Sequence, residues 1–557
     1  MPQKPVYFRP PLLAVHQCFP AAGTVRSTDK RITHLYQKAS QYIEQPCVWE
    51  GLFRLACLVK QKPVEEPVAE KIINALSETE NGSFSGGLWD QICTARSAMA
   101  VFEYNTDRSI LKRISDWLRF IEIEYDDMIS QDGILFRPAD LMELLIRFYQ
   151  VSGYKPSLRL CAKLRADAFD WTTAIHTFQQ SIPISPEENN KGYVFPEQKP
   201  EEIDFEEKEK LINHSELLAD GIRYTLFTGI FSGHGQDLSS GKTIWPYLLK
   251  HHHALCGGAT GNPYLSGSTA DQTVNNCTLA AWAEAFCAQM AFADFTWASE
   301  ELIRIVRNGI DDCLNQEILP DAQRINSIRE DKKWPSDPAR LYARIARAVS
   351  FAYSHAVSLT EKGIMILYLL PGRYMVNIQK QMMMLLTEND SVEIHCKKPV
   401  SIPIDVYLQT AGSLSVNIER KNRIYTGSAE QLHGRPGCCI HMNTEWQDRD
   451  VIRFVPDETI ICEEQHHQGI SFLYRNRLLC MRVIDGEFAR AICGIPEKTT
   501  DGRINVLSAA TEKWKIKGVQ PADIPVLPDT KEEPADIELI PYSDSRDRIT
   551  MFPRIKQ

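Results

Sequence analysis

The hydrophobic period of this chain changes once, near residue 360, and that change narrows the architectures open to it. From about residue 29 to 356 apolar residues recur at helical spacing. Leu141, Leu144, Leu145 and Phe148 share one face beside the i,i+4 pair Glu143 and Arg147, and Leu302, Ile305, Val306, Ile310 and Cys313 repeat the pattern. Leu341, Ile345, Val349 and Ala352 do so again, opposite Arg340, Arg344 and Arg347. Eleven or twelve helical segments can be drawn, with Asp29, Asp107 and Asp337 placed as N-terminal caps. Many antiparallel helices with no strand runs between them predict an α/α toroid rather than a βαβ sheet.

Beyond residue 360 the period is two. Val392, Ile394 and Cys396 alternate, then Ile402, Ile404, Val406 and Leu408, then Leu414, Val416 and Ile418. Ile470, Phe472 and Tyr474 run through Arg475-Asn476-Arg477 into Leu479, Met481 and Val483, which predicts a hairpin. The expected fold class is α + β multidomain: an N-terminal extension (1–28), a helical domain (29–360), a β-sandwich domain (361–500), and a Pro-rich, mostly irregular tail (501–557) packing on the body. Residues 183–210 predict a solvated acidic loop leading into a helix.

Charge narrows the partners. The 557 residues carry 62 Lys+Arg against 72 Asp+Glu, a net charge of −10, which argues against nucleic acid or an anionic membrane as partner. No apolar run approaches the ~20 residues that span a bilayer, and no signal-peptide core follows the N-terminus. Fifteen cysteines, scattered without the spacing of a disulfide scaffold, fit a reduced, cytoplasmic setting.

The stretch from His251 to Cys277 combines glycines, small polar residues and Asp271 ahead of a strongly apolar helix. At the mouth of a toroid such a loop would line a substrate site, since backbone approaches a ligand closely at glycine. His251, His252 and His253 cannot all face one ion from a regular element, so a solvated or partly buried cluster is expected. Cys438-Cys439 point to opposite faces of a strand. Gly233-His234-Gly235-Gln236-Asp237 is a polar loop able to line a pocket. No CxxC, HExxH, P-loop or GxSxG stands in a usable context.

Several of these segments together resemble the β-L-arabinofuranosidase family of glycoside hydrolases. Gly257-Gly258-Ala259-Thr260-Gly261, Gly267 and Asn275-Asn276-Cys277-Thr278 resemble its glycine-rich loop and E-x-C-(A/T) signature. Trp334-Pro335-Ser336-Asp337-Pro338-Ala339-Arg340-Leu341 resembles its C-P-P-N-x-A-R-L segment at a helix start. Pro399 to Ile404, Trp446 with Asp450-Val451-Ile452, Ile540-Pro541-Tyr542 and Arg548 to Pro553 are similar to its later motifs, so the likeness spans roughly residues 210 to 555. The resemblance implies an (α/α)6 toroid or barrel followed by β-sandwich modules, with a terminal sugar bound at the barrel mouth. It also implies a zinc ion held by three cysteines and a glutamate, one cysteine attacking the anomeric carbon.

This sequence departs from that set. Cys277 matches a family cysteine, but Asn275 replaces the glutamate, Lys333 and Trp334 replace the adjacent cysteine pair, and no cysteine lies between Cys313 and Cys396. The expectation is therefore no zinc, no other cofactor and no cysteine nucleophile. A glycoside hydrolase using carboxyl groups is the first reading. Its catalytic candidates are Asp271 and Asp337, the latter also suited to capping its helix, with Asp90 and Glu284 behind them. His234, His253, Tyr264, Asn275, Cys277 and Trp334 are expected to contact an oligosaccharide or glycoside, and Trp89, Trp245 and Tyr264 to offer stacking faces. The alternatives are a catalytically inactive sugar-binding or structural descendant, and a uronic-acid-directed enzyme using Lys333, Arg340 and His251–His253.

Overall fold

A computed structural model describes residues 25–79, 82–182, 199–268, 273–293, 295–325 and 336–360 of the helical part, with residues 19–20 and 195–196. Of the later chain it describes 363–378, 381–407, 413–420, 423–426, 439–456, 460–464, 469–482, 488–489, 497–498, 504–508, 513–514 and 535–553. The molecule is helix-rich with several largely antiparallel sheets.

Twelve of the helices described in the first part form two layers: α1 (Lys30–Ala39), α2 (Pro46–Val59), α3 (Pro67–Ser77), α4 (Leu88–Asn105), α5 (Arg108–Ile123), α6 (Ala139–Ser152), α7 (Pro156–Asp167), α8 (Ser215–Ser232), α9 (Gly235–His251), α10 (Asn276–Phe292), α11 (Phe295–Arg304) and α12 (Pro338–Ala356). The even-numbered helices pack in sequence, α2 on α4, α4 on α6, and so on to α12, which packs back on α2 and closes a ring. The odd-numbered helices lie outside it, each against its even-numbered neighbour. The local sequence explains the partition. Outer helices such as α5 bury one stripe (Ile110, Ile114, Trp117, Leu118, Ile121) and leave the rest to solvent, whereas α8 is buried continuously from Ser215 to Ile230. The expected caps are present: Asp29, Asp107 and Asp337 accept the amides of Arg31 (2.9 Å), Ser109 (2.9 Å) and Arg340 (3.1 Å).

The axis of the ring is filled by charge. Glu50 (α2), Arg96 (α4), Asp140 and Glu143 (α6), Glu216, Asp220 and Arg223 (α8), Glu284 (α10), and Arg344 and Arg347 (α12) are all buried. Arg96 meets Glu50 at 2.8 Å and also Asp140; Arg223 meets Glu284 at 2.9 Å, Asp220 at 3.1 Å and also Asp140; Arg344 meets Asp220 at 2.9 Å and Glu216 at 3.0 Å. Arg347 closes the set against Glu284 and Asp140. These pairs join all six inner helices across the axis.

The β part begins in the N-terminal segment. Val25–Ser27 is the edge of a seven-stranded antiparallel sheet that continues through Gly372–Ile378, Gln381–Thr387, Ser391–Cys396, Asp450–Pro456, Ser413–Arg420 and Arg423–Thr426. Its register sets Leu385 against Ile394 and Ile452 against Val392, all buried. A second, five-stranded sheet orders Phe19–Pro20, Val357–Leu359, Ile364–Ile366, Ile404–Tyr407 and Cys439–Met442. The expected hairpin joins Gly469–Tyr474 to Arg477–Arg482, with Arg475 (φ 50°) and Asn476 (φ 61°) in the left-handed turn that such two-residue loops require. The tail departs from expectation. Ile504–Ser508, Ala535–Pro541, Arg548–Ile549 and Phe552–Pro553 are strands of an eight-stranded sheet with the hairpin. The prolines of the tail masked the alternation of Ile537 and Leu539. Arg548, buried against Asp312 (2.7 Å), ties this sheet to the helical part.

Candidate functional site

The N-terminal ends of the inner helices bring together residues far apart in sequence. At the start of α4, Gly86 and Gly87 precede Leu88-Trp89-Asp90. A β-carbon on Gly86 would lie 2.9 Å from a carboxylate oxygen of Asp90, and one on Gly87 would lie 2.9 Å from a carboxylate oxygen of Asp132. Two successive glycines thus make room for two carboxyl groups. Asp132, at φ 55° before α6, accepts the Trp89 amide at 3.1 Å. Burial, and then the charge of Asp132, push the Asp90 carboxyl above the ordinary aspartate range.

Across this end lie α2, α8, α10 and α12. Burial, then the charges of Asp337 and Asp90, push the Cys47 thiol up to about 11. Arg340 donates to both oxygens of Glu216 (2.7 and 2.8 Å). Burial alone would raise Glu216, but Arg340 and Arg344 outweigh it and hold the carboxylate well below its usual range. His214, at the cap of α8, is held at about 4 by burial and makes an edge-on ring contact with Tyr264 at 5.7 Å.

Cys277 and Asn275 stand here too, in altered roles. The Asn275 side-chain oxygen accepts the Cys277 amide at 2.8 Å and so caps α10. Cys277 is half-buried, and burial, then Glu216, push its thiol up to about 12. The partners of a three-cysteine site are missing from the sequence: Lys333 and Trp334 stand at the positions of the adjacent pair, and no cysteine lies between Cys313 and Cys396. Among the described residues no group of three or more His, Cys, Asp or Glu side chains is placed to hold a metal ion. A Cys-rich zinc set does not fit the residues present at this end.

The other expected site residues are divided. Asp337 lies at the mouth but caps α12. Glu284 lies in the axial ion pairs, buried to 2% exposure, with Oε2 against Arg223, Arg344 and Arg347. His234 is exposed at the start of α9, beyond the C-terminal end of the 18-residue α8 and so about 27 Å from the mouth. His253 is buried against Glu301 (3.2 Å), and His252 accepts the Gly267 amide while contacting the Gln180 carbonyl (2.7 Å). Trp245 packs among Trp282, Phe286 and Trp297. Asp271, Lys333 and Trp334 lie outside the described residues. Nor do Gly257 and Gly258 line a site: a β-carbon at Gly257 would meet the Ile305 backbone at 2.7 Å, and one at Gly258 the Trp282 side chain at 3.1 Å. These glycines bring protein against protein.

Sequence reasoning missed Asp132 and Arg137 altogether. The Arg137 guanidinium lies 4.0 Å from the Trp89 ring centroid and 4.9 Å from that of Phe195. The clue in the sequence was the pair of glycines before Trp89-Asp90, but the partner loop 40 residues on has no pattern of its own.

No family model matches the sequence, and neither does any curated protein. Solved structures do match in fold. A structure described as a glycoside hydrolase is covered over 100% of both chains at 11% identity and TM-score 0.72. A GH127 β-L-arabinofuranosidase from Geobacillus stearothermophilus T6 matches 93% of this chain and 91% of its own at 11% identity and TM-score 0.62. Another GH127 β-arabinofuranosidase matches 97% and 98% at 10% identity and TM-score 0.63. The chain therefore has the fold of these enzymes, in agreement with the resemblance in its motifs, at a sequence distance that leaves chemistry to be argued from its own residues.

Proposed function

We propose that the chain is a glycoside hydrolase acting on a terminal sugar, with an (α/α)6 barrel, β-sandwich modules behind it and a zinc-free, carboxylate-based site at the barrel mouth. The observation that supports this most is the pair Asp90 and Asp132 seated on Gly86 and Gly87. One carboxyl is held toward its protonated form by burial and by the charge of the other, the division of labour that glycoside cleavage needs. In this scheme Asp90 passes its proton to the glycosidic oxygen as the bond to the anomeric carbon breaks. A second carboxylate takes a proton from water, whose oxygen joins that carbon. Asp132 is the first choice for the second role. Asp337, across the mouth, and Asp271 in the glycine-bearing loop are its competitors.

The filled axis of the ring favours a second reading, a descendant that binds sugar without cleaving it. Kinetics on aryl glycosides separates the two, beginning with the β-L-arabinofuranoside that the structural neighbours' names suggest. Asp90→Asn and Asp132→Asn are each expected to lower kcat by roughly 100-fold or more. Unchanged turnover in Asp90→Asn would remove this assignment. Absence of turnover on every glycoside, with sugar binding intact, would establish the binding reading.

A further inference from the structure

Among the described residues at this end, Arg137 is a cation without an ion-pair partner. Arg340 and Arg344 are spent on Glu216 and, for Arg344, on Asp220. Arg137, immediately before Pro138 and α6, makes no ion pair among the described residues. It donates one hydrogen bond, from Nη2 to the Asp132 carbonyl at 2.8 Å, and its Nε is buried with no acceptor. Trp89 and Phe195 flank the guanidinium and fix its plane. Burial, then the like charges of Arg340 and Arg344, make its own charge costly and lower its pKa. A half-buried, planar guanidinium held between two rings, with one donor taken by the Asp132 carbonyl and its buried Nε unmatched, can meet a carboxylate through its remaining donors.

We propose that Arg137 receives a sugar carboxylate, so that the mouth takes a uronic acid unit in preference to a neutral sugar. The inference rests on the mouth being the sugar site. It assigns the cation to a residue outside the set Lys333, Arg340 and His251–His253 expected from sequence: Arg340 is paired, and His252 and His253 are buried and engaged elsewhere. Trp89, whose ring centroid lies 4.0 Å from the guanidinium, precedes Asp90 directly in the chain, so the two residues share the start of α4 with the cation's stacking partner.

Calorimetric titration of the full chain with D-glucuronate, D-galacturonate, D-glucose, D-galactose, L-arabinose and inorganic phosphate tests it. At least one uronate is expected to bind roughly tenfold or more tightly than its neutral counterpart. Arg137→Met, which keeps a stem against Trp89, is expected to erase that preference while leaving the neutral sugar's affinity in place. Arg137→Lys is expected to restore only part of it, because an ammonium cannot make the paired contact. Circular dichroism and thermal unfolding establish that both variants fold. Equal affinity for uronate and neutral sugar in the native chain would overturn the proposal, as would a preference that survives Arg137→Met. Phosphate binding more tightly than either uronate would overturn it as well. Aryl glycosides and aryl uronides keep the two proposals separate. A uronate preference without turnover would leave this inference standing and remove the hydrolase reading. Turnover of neutral glycosides without uronate binding would do the reverse.

Discussion

Asp90 sits among groups that all push its titration the same way, and the consequence for catalysis has a definite sign. A carboxyl acting as acid works only while protonated. The rate is therefore expected to fall as pH rises through the raised Asp90 pKa, and Asp90→Asn is expected to remove that alkaline limb from the kcat/KM profile. At the same scale, the axial ion pairs give a stability prediction. Arg347 touches Glu284 and Asp140, both of which Arg223 also pairs, so Arg347→Met leaves Arg96, Arg223 and Arg344 against the six buried carboxylates of the axis. A loss of about 3–5 kcal/mol in unfolding free energy is expected from denaturant melts. Caps such as Asp29, Asp107 and Asp337 were legible in the sequence because a cap depends on neighbours two or three positions away. The inward direction of Arg340, Arg344 and Arg347 was not. In an isolated amphipathic helix a charged stripe faces water, whereas in a closed ring the same stripe faces the axis.

Among elements, the glycine-bearing segment between α9 and α10 was expected to bring backbone close to a ligand. Its glycines mark close approach, but to Ile305 and Trp282. Gly257 holds φ at 102° and has the Ile305 backbone where a β-carbon would go. Gly257→Ala is expected to cost on the order of 2 kcal/mol, measured by thermal unfolding, with little direct effect on ligand affinity. Asn275 makes the complementary case. As the α10 cap it is expected to lose about 1 kcal/mol of stability on substitution by Ala. A much larger loss of activity than of stability in Asn275→Ala would give it a role beyond capping. The strands at residues 392–396, 404–407 and 470–482 were legible from alternation, since a half-buried strand shows its period directly. Those of the tail were not, because short runs between prolines carry too few residues for a period to emerge.

For the molecule as a whole, burial of histidine sets the response to acid. His214, His252 and His355 are each held at about 4, first by burial, against 6.5 for a free imidazole. Between those values the unfolded chain binds more protons than the folded one. Stability contributed by keeping these rings neutral is complete above pH 6.5 and is lost as pH falls toward 4, by up to roughly 3 kcal/mol per histidine. Unfolding midpoints measured across that window should fall steadily with acidification and recover in part in His355→Asn. The change of period near residue 360 was enough to separate helices from sheets, since it reflects which faces are buried. Closure of the ring, and with it the meeting of Asp90, Asp132, Arg137, Glu216 and Cys277, depends on contacts between helices hundreds of residues apart, which no local pattern encodes.

The central claim is that this fold cleaves a sugar without the thiol-bound zinc of the family it resembles, and turnover of aryl glycosides and uronides in excess chelator, alongside metal analysis of the purified protein, tests it most directly. Hydrolysis that persists unchanged in chelator and collapses in Asp90→Asn is expected. Hydrolysis abolished by chelator and restored by added zinc, or lost in Cys277→Ser while Asp90→Asn retains it, would contradict the claim.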